Sequence, residues 1–277
     1  MHVQLAGGEQ GTLLSEAGPA LLPFFNTRDA CVLRLVCQEF LAAVREYPWA
    51  DGKTAIQGSI AAWRSCFPRA LSANIQRMDW AGFNQRWAPV VDADFVHFEG
   101  LRKLRKGSCT SVTDAAFVHL HGIRALDMSN CDQLTITDAA FAHLAGIKRL
   151  SIWGCDQATI TDAAFAHLRG IQRLNMSSCT QFTDAAFPYL RGIHTLIMAR
   201  CRQTAITDAA FVHLQGVRKL VMDYCRQDTI TGATFSFLTG KGIYLLDMYN
   251  CRSTPIYAAQ SLELPVRRKR RLFAYPL

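Results

Sequence analysis

Residues 136–155 read ITDAAFAHLAGIKRLSIWGC, and near-copies of this stretch recur along most of the chain. The motif TDAAF begins at five positions and a blurred copy, TGATF, begins at a sixth: Thr113, Thr137, Thr161, Thr183, Thr207 and Thr231. Successive copies start 24, 24, 22, 24 and 24 residues apart. A fixed period of this length indicates a solenoid, in which each unit buries its apolar face only against its neighbours.

The first half of each unit has the spacing of a short helix. In DAAFAHL, Ala140, Phe141 and Leu144 share one helical face. Thr137 or Asp138 can cap the first turn by accepting its free amides. A glycine follows the helix, where the left-handed conformation that ends many helices is favoured.

The second half of each unit alternates large apolar and variable residues with period two, which predicts a half-buried strand. One strand and one short helix per ~24 residues is the leucine-rich-repeat unit. The pattern I-x-x-L-x-M-x-x-C…I-T-D resembles the cysteine-containing subclass of these repeats, which is common in F-box proteins. We therefore predict an α/β leucine-rich-repeat solenoid, a horseshoe with about eight strands between Ile75 and Met248, behind a small N-terminal helical module.

Seven of the ten cysteines occupy one slot of the repeat: Cys109, Cys131, Cys155, Cys179, Cys201, Cys225 and Cys251. We expect them to be buried, reduced and structural, each thiol donating weakly to a loop carbonyl. The chain has no Cys-x-x-Cys motif, so a zinc site is not expected.

The histidines also recur in one slot, which raises a metal site as an alternative: His97, His119, His143, His167 and His213. Helices of successive units pack ~8–10 Å apart. Metal–nitrogen bonds are only ~2 Å long, so imidazoles from several units cannot easily share one ion. We expect no metal and no cofactor. The sequence also offers no nucleophile–base pair, so we do not expect an enzyme.

The net charge of +8 is concentrated near the C-terminus, because Arg267 to Arg271 supply five positive charges and leave +3 for the rest. Such a run is a nuclear-import candidate or an electrostatic tether, and it is not the footprint of a nucleic-acid-binding domain. No apolar run approaches the ~20 residues of a membrane span. The N-terminus has no secretory signal pattern. We expect a cytoplasmic or nuclear protein with no membrane or nucleic-acid partner.

Residues 13–49 read LLSEAGPALLPFFNTRDACVLRLVCQEFLAAVREYPW and resemble an F-box. The resemblance is carried by an Arg-Asp pair, a Val-Cys pair, an aromatic residue and a closing Pro-Trp, all at the family's spacing: Arg28, Asp29, Val36, Cys37, Phe40, Pro48 and Trp49. The sequence departs from the family at Leu14, which replaces a proline, and at Gly18, Pro19 and Pro23, which interrupt helices.

The resemblance implies a non-catalytic substrate receptor that docks on a Skp1-type adaptor of a cullin–RING ubiquitin ligase. It places the adaptor contact on Leu13, Leu21, Leu22, Val36 and Phe40. Without the resemblance, residues 29–44 form an amphipathic helix that Asp29 can cap. Two alternatives therefore stay open: an interaction scaffold whose N-terminal helices only cap the solenoid, and a binder of nucleic acid or anionic surfaces through the basic run.

In a leucine-rich-repeat horseshoe, the variable strand residues line the concave face, and variable positions on a rigid scaffold usually encode recognition. Basic residues dominate the N-terminal half of this face, and aromatic residues suited to binding hot spots lie further along. We predict that a protein substrate, acidic or phosphorylated, binds at Lys103, Arg105, Arg149, Trp153, Arg173, Tyr224 and Tyr249.

The predicted organisation has five parts. A flexible N-terminus covers residues 1–12, and the F-box-like module covers residues 13–50. A linker at residues 51–74 contains a helix from Ile56 to Cys66. The repeats cover residues 75–262, ending with a decayed helix from Pro255 to Leu262, and a basic tail covers residues 263–277.

Overall fold

The structure is a computed structural model of the 277-residue chain, and it describes residues 21–36, 38–56, 58–75, 89–107, 111–239 and 242–267. The chain divides into two compact units between Ile75 and Gln76. Several expectations lie outside the described residues, namely those for Leu13, for a first repeat strand near Met78, for Cys109 and for residues 268–277.

The first unit is helical. A 3₁₀ helix covers Leu22–Phe24 and is followed by three α-helices and one short strand: α1 (Thr27–Leu33), α2 (Gln38–Glu46), α3 (Ile60–Cys66) and β1 (Ser72–Asn74). Its core contains Trp49 and Phe67, whose rings meet edge to face at 5.6 Å. Trp49 Nε1 donates to the Val44 carbonyl oxygen at 2.7 Å, which satisfies the buried indole.

The prediction of a single amphipathic helix over residues 29–44 is wrong. Asn26, rather than Asp29, caps α1, because its side chain accepts from the amides of Arg28 and Asp29 at 2.9 and 3.0 Å. The helix then ends, and the amides of Leu35 and Val36 close a turn by donating to carbonyls three residues earlier.

The helix expected from Ile56 starts later, at Ile60. The Ser59 side chain accepts from the Ala62 amide at 3.2 Å, which caps α3 at this point. The amide of Ile56 donates instead to the Asn74 carbonyl oxygen at 2.8 Å, which ties the segment before α3 to β1.

Eight parallel strands in sequence order form one open sheet in the second unit: β2 (Lys103–Arg105), β3 (Ala125–Asp127), β4 (Arg149–Ser151), β5 (Arg173–Asn175), β6 (Thr195–Ile197), β7 (Lys219–Val221), β8 (Leu245–Asp247) and β9 (Val266–Arg267). This confirms the predicted α/β leucine-rich-repeat solenoid. The sequence did not indicate β9, which pairs with β8 although Val266 and Arg267 belong to no repeat copy.

The helical halves of the repeats are mostly 3₁₀ helices: Asp92–Phe98, Asp114–Leu120, Asp162–Leu168, Asp184–Leu190, Asp208–His213 and Phe235–Leu238, with α4 (Asp138–Ala142) the α-helical exception and α5 (Ser253–Ser261) closing the array. Short segments tolerate the tighter 3₁₀ geometry. Ala140, Phe141 and Leu144 are buried as predicted. Gly146 has a φ of 83°, the left-handed conformation expected after the helix.

The cysteine slot confirms its predicted structural role. Five of the thiols donate to the carbonyl at the end of the preceding repeat's strand, as Cys155 does to Met128 at 3.1 Å. The other thiol–carbonyl pairs are Cys179 with Ile152, Cys201 with Met176, Cys225 with Met198 and Cys251 with Met222. Burial raises the pKa of Cys155 to about 12. The cysteines of the described residues are reduced thiols.

Of the two cap candidates that the sequence offers in each repeat, the threonine caps the helix and the aspartate has a separate role. Thr137 caps its own helix by accepting from the Ala139 amide at 3.2 Å. The aspartate reaches into the following repeat and binds that repeat's threonine. The six pairs are Asp92–Thr113, Asp114–Thr137, Asp138–Thr161, Asp162–Thr183, Asp184–Thr207 and Asp208–Thr231.

Candidate functional site

Two predicted substrate-binding arginines lie side by side on the sheet. The β4–β5 register places Arg149 directly opposite Arg173. Arg149 is exposed and Arg173 is half-buried. Burial lowers the pKa of Arg173, and the adjacent charge of Arg149 lowers it further, while Tyr244 opposes the shift. Like charges directly opposite each other are destabilising in a sheet, and an anion placed between the two guanidinium groups would offset that repulsion.

The variable strand position between the buried leucine and the following core residue is mostly buried, so its side chains are not available to a ligand as the sequence suggested. In five strands the residue at this position has less than a tenth of its surface exposed: Ser151, Asn175, Ile197, Val221 and Asp247. Parallel strands are ~4.8 Å apart, so side chains along one row contact each other. Ser129, two residues after the row member Asp127, also covers the row: its Oγ hydrogen-bonds to Ser151 Oγ at 2.9 Å and donates to Asp127 Oδ1 at 2.6 Å.

The basic residues of β2 are less available than the sequence suggested. Lys103 and Arg105 are both half-buried. Arg105 Nε lies 3.7 Å from Asp127 Oδ2 on the neighbouring strand, so part of its charge is already compensated. We expect these two residues to contribute less to an interface than Arg149.

Trp153 is an exposed aromatic residue four positions after Arg149 in the same repeat. It follows β4, and 43% of its surface is exposed. Gly154, the next residue, has a φ of 70°, and a Cβ there would lie 2.5 Å from Asn130 Oδ1. Glycine adopts this conformation without strain, whereas a side chain at position 154 would have to displace the Asn130 side chain.

Tyr224 and Tyr249 form a second cluster, at the ends of β7 and β8. Their rings meet edge to face at 5.3 Å, and the Arg200 guanidinium lies 5.4 Å from the Tyr224 ring centroid. Arg200 and Tyr224 have φ values of 60° and 59°, a conformation that costs bulky residues free energy. Three strand spacings separate β4 from β7, so the two clusters are roughly 14 Å apart along the sheet.

A line of exposed arginines follows the cysteines near this second cluster: Arg202, Arg226 and Arg252. Arg226 Nε donates to the Asn250 carbonyl oxygen at 3.1 Å, and Arg226 also bonds to the Asn250 side chain. Arg252 Nε lies 2.7 Å from Asp228 Oδ1 and donates to the Arg226 carbonyl oxygen at 2.7 Å. Backbone contacts therefore hold two of the three guanidinium groups.

The first unit displays large apolar side chains around α1. Five are substantially exposed: Leu21 (46%), Phe24 (84%), Val32 (65%), Leu35 (77%) and Val36 (64%). Leu21 and Val36 are predicted adaptor contacts, whereas Phe24, Val32 and Leu35 were not predicted. The run VLRLV at residues 32–36 carried a signal, because four large apolar residues in five exceed what one helical face can bury.

Two predicted adaptor contacts are corrected by the structure. Leu22 and Phe40 are only 1% and 9% exposed, because both pack into the core of the first unit. They support the helices from inside and cannot themselves form an interface. The remaining predicted contact, Leu13, lies outside the described residues.

The histidine slot makes local contacts. His119 Nδ1 lies 2.7 Å from Glu99 Oε1, and His143 Nδ1 lies 3.2 Å from His121 Nε2. Within the described ranges, no cluster of three or more His, Cys, Asp or Glu side chains could hold a metal ion. In the same residues, no helix has the length and apolarity needed to cross a membrane.

No protein-family model matches the chain, and no curated protein matches it. Solved structures are similar to it. The TLR13–ssRNA13 complex matches at 16% identity and a TM-score of 0.54, over 79% of this chain and 31% of that one. The glycosylated Toll–Spatzle complex from Drosophila matches at 12% identity and a TM-score of 0.56, over 83% and 34%.

A third structure, the Rad7–Elc1 complex in yeast, is similar over a shorter part. It matches at 18% identity and a TM-score of 0.41, over 52% of this chain and 42% of that one. The chain spans less than half the length of each of these three proteins. The two matches with TM-scores above 0.5 support the leucine-rich-repeat fold alone.

Proposed function

We propose that this protein is a non-catalytic substrate receptor of an SCF-type ubiquitin ligase. Its F-box-like first unit docks on a Skp1-type adaptor, which links it to a cullin, and its repeats bind a protein substrate. The observation that carries the proposal is the exposed apolar surface at Leu21, Phe24, Val32, Leu35 and Val36, which we call the α1 surface.

The α1 surface has the character of a docking site. Contiguous exposed apolar groups are costly in water, and such patches in soluble proteins usually mark interaction sites. Its members lie within 16 residues of sequence that resemble an F-box. A unit that only capped the solenoid would have no need to expose so many large apolar side chains, so the α1 surface favours the adaptor over the scaffold alternative.

Substrate binding is assigned to the strand face at Arg149 and Arg173 and to Trp153, which follows the strand of Arg149. Paired guanidinium groups bind carboxylates or phosphates through parallel hydrogen bonds. The exposed tryptophan offers apolar contact area to a substrate that extends beyond the arginines. An acidic or phosphorylated protein segment fits this combination of charges and ring.

The proposed mechanism is proximity. The receptor forms and breaks no covalent bond, and its residues only bind and orient. Holding the substrate near the ubiquitin-charged enzyme of the ligase raises the local concentration of substrate lysines, which converts a bimolecular step into an effectively intramolecular one.

The test is co-expression of the full chain with a Skp1-type adaptor, followed by size-exclusion chromatography. We expect a 1:1 complex that the double variant Leu35→Asp/Val36→Asp abolishes, because two carboxylates cannot be buried in an apolar interface without a large penalty. The matched control is Val96→Asp/Val118→Asp, which changes two comparably exposed valines of the second unit (45% and 40% exposed) and should leave the complex intact.

The outcomes separate the two functions. A complex that survives Leu35→Asp/Val36→Asp would remove the α1 surface from the interface. A chain that is folded by circular dichroism and stays monomeric beside the adaptor would leave the interaction scaffold, with the first unit as a cap, as the function.

A further inference from the structure

One repeat carries a lysine in the core position that the other repeats fill with Met or Ile. The apolar residues of this position are Met128, Ile152, Met176, Met198, Met222 and Met248, all buried. In β2's repeat the same position holds Lys106, which is 0% exposed. A fully buried lysine is rare and usually has a specific partner.

One partner of Lys106 is a cysteine of the next repeat. Lys106 Nζ donates to Cys131 Sγ at 3.2 Å and lies 5.8 Å from the centroid of the Phe117 ring. The contact changes the role of the cysteine. The thiols of the five following repeats each donate to a strand-end carbonyl at 2.8–3.3 Å, whereas Cys131 makes a long contact of 3.9 Å to the Ser129 carbonyl oxygen.

We propose that Lys106 and Cys131 are a redox modification site, at which peroxide joins Nζ and Sγ covalently. The geometry supplies what this reaction needs: an amine nitrogen within hydrogen-bond distance of a sulfur, held there by a packed core. Peroxide is about the size of two water molecules and can enter through local opening of the repeats.

The reaction balances with hydrogen peroxide as the oxidant. The sulfur of Cys131 attacks one peroxide oxygen, the O–O bond breaks, and a sulfenic acid and one water form, with the sulfur oxidised by two electrons. The nitrogen lone pair of Lys106 then attacks the sulfur, and the N–H proton that the nitrogen loses leaves with the departing oxygen. The N–S bond forms, the S–O bond breaks and a second water leaves. The product is a sulfenamide that has lost two hydrogens.

A second product class keeps one oxygen between the two atoms. One peroxide oxidises the sulfur to the sulfenic acid, and a second oxidises the nitrogen of Lys106 to a hydroxylamine, each step breaking an O–O bond and releasing one water. The hydroxylamine oxygen then attacks the sulfur, the S–OH bond breaks and a third water leaves, so that an N–O–S link joins Lys106 and Cys131. Either link closes a covalent loop between two adjacent repeats. Such a loop restricts the unfolded chain as a disulfide does, so it would stabilise this end of the solenoid under oxidising conditions.

The test treats the full-length protein with hydrogen peroxide and reads the tryptic peptides by mass spectrometry. We expect residues 106–124 joined to residues 125–148, with two hydrogens lost and with or without one added oxygen. A modified Lys106 also blocks cleavage after itself. A disulfide between Cys109 and Cys131 would lose two hydrogens too, but would leave the bond after Lys106 cleavable and would overturn the proposal.

Lys106→Met is the matched variant, because it installs the residue that this position carries in most repeats. The variant should fold, and its yield of crosslinked Cys131 should be at least ~tenfold lower. Its Cys131 should remain a thiol or be oxidised to sulfenic, sulfinic or sulfonic acid. Cys155 is the internal control, because it is equally buried in the same row but has no lysine donor, and it should form no crosslink to lysine in either protein. Equal oxidation of Cys131 in both proteins, with no Lys106-containing link, would also overturn the proposal.

Discussion

The carboxylate of Asp138 accepts two hydrogen bonds from Thr161 in the next repeat, from the backbone amide at 2.7 Å and from the hydroxyl at 2.6 Å. The same hydroxyl oxygen accepts from the Ala163 amide at 3.2 Å and so caps the helix of that repeat. One aspartate therefore orients the cap of its neighbour. This arrangement recurs through six pairs and couples each repeat to the next.

Asp138→Asn should lower the free energy of unfolding by about 1–3 kcal/mol, the typical loss when a partly buried hydrogen-bond acceptor loses its charge. The variant keeps the shape of the side chain, so packing changes little. Urea unfolding followed by circular dichroism measures the difference between the two proteins.

Asp156→Asn is the control for this prediction, because Asp156 is exposed in the same stretch of sequence. Its substitution should change the unfolding free energy by less than about 0.5 kcal/mol. Equal losses for the two variants would mean that general charge effects, and not the inter-repeat bonds, set the stability.

The repeat architecture was predictable because its signals are periodic. Each copy repeats the same buried leucine, phenylalanine and cysteine, so a position that is ambiguous in one copy can be interpreted from the others. The strand centred on Leu150, the buried Phe141 and the thiol role of Cys155 all follow from spacing alone. The division of labour between Thr137 and Asp138 was not predictable, because either residue type can cap a helix.

The first unit was harder because it has no internal repeat. The pattern from Asp29 to Val44 fits one amphipathic helix. In the structure the first helix is capped earlier, by Asn26, and the turn after Leu33 divides the pattern into two helices. The same turn brings Leu35 and Val36 to the surface. Spacing also could not show that Ser151 and its row are covered, since exposure there depends on the side chains of neighbouring strands.

Asp51 should make the first unit sensitive to acid. Burial raises its pKa, but hydrogen bonds from Thr27, Thr54 and Lys53 outweigh burial and lower the pKa to about 2. Because the folded pKa lies below the ordinary value of 3.8, the charged carboxylate stabilises the fold above pH ~4. That contribution is lost as the pH falls from about 4 to about 2.

Asp51→Asn should therefore cost about 1–2 kcal/mol at neutral pH, after allowance for solvent screening, and progressively less below pH ~4. Hydrogen exchange of α1, corrected for intrinsic rates, measures the loss, since the Thr27 amide donates to Asp51 Oδ2 at 2.9 Å. A difference between the two proteins that stayed constant down to pH ~2.5 would contradict the assigned titration.

The cysteine row should resist alkylation while the solenoid is folded. Burial raises the pKa of Cys155, Cys201 and Cys251 to about 12, so almost no reactive thiolate is present at pH 8. Site-resolved mass spectrometry after iodoacetamide treatment should show these thiols reacting at least ~100-fold more slowly than in urea. Cys66, which is half-buried in the first unit, is the internal control and should react earlier. Equal rates at all sites would indicate that the row opens far more readily than its packing suggests.

The Arg149–Arg173 pair should cost stability in the unbound protein and supply affinity in the complex. The two residues are in register on β4 and β5. Burial is the larger cause that lowers the pKa of Arg173, and the charge of Arg149 lowers this pKa further. Arg149→Gln should therefore raise the free energy of unfolding by up to ~0.5 kcal/mol at low salt, because it removes a like-charge neighbour. The gain should shrink near 0.5 M salt, where screening acts over ~4 Å.

Arg202→Gln, at an exposed turn, is the control and should show no such gain. A gain independent of salt would mean that packing, and not repulsion, limits stability at this pair, and the argument that it favours an anionic ligand would lose its basis.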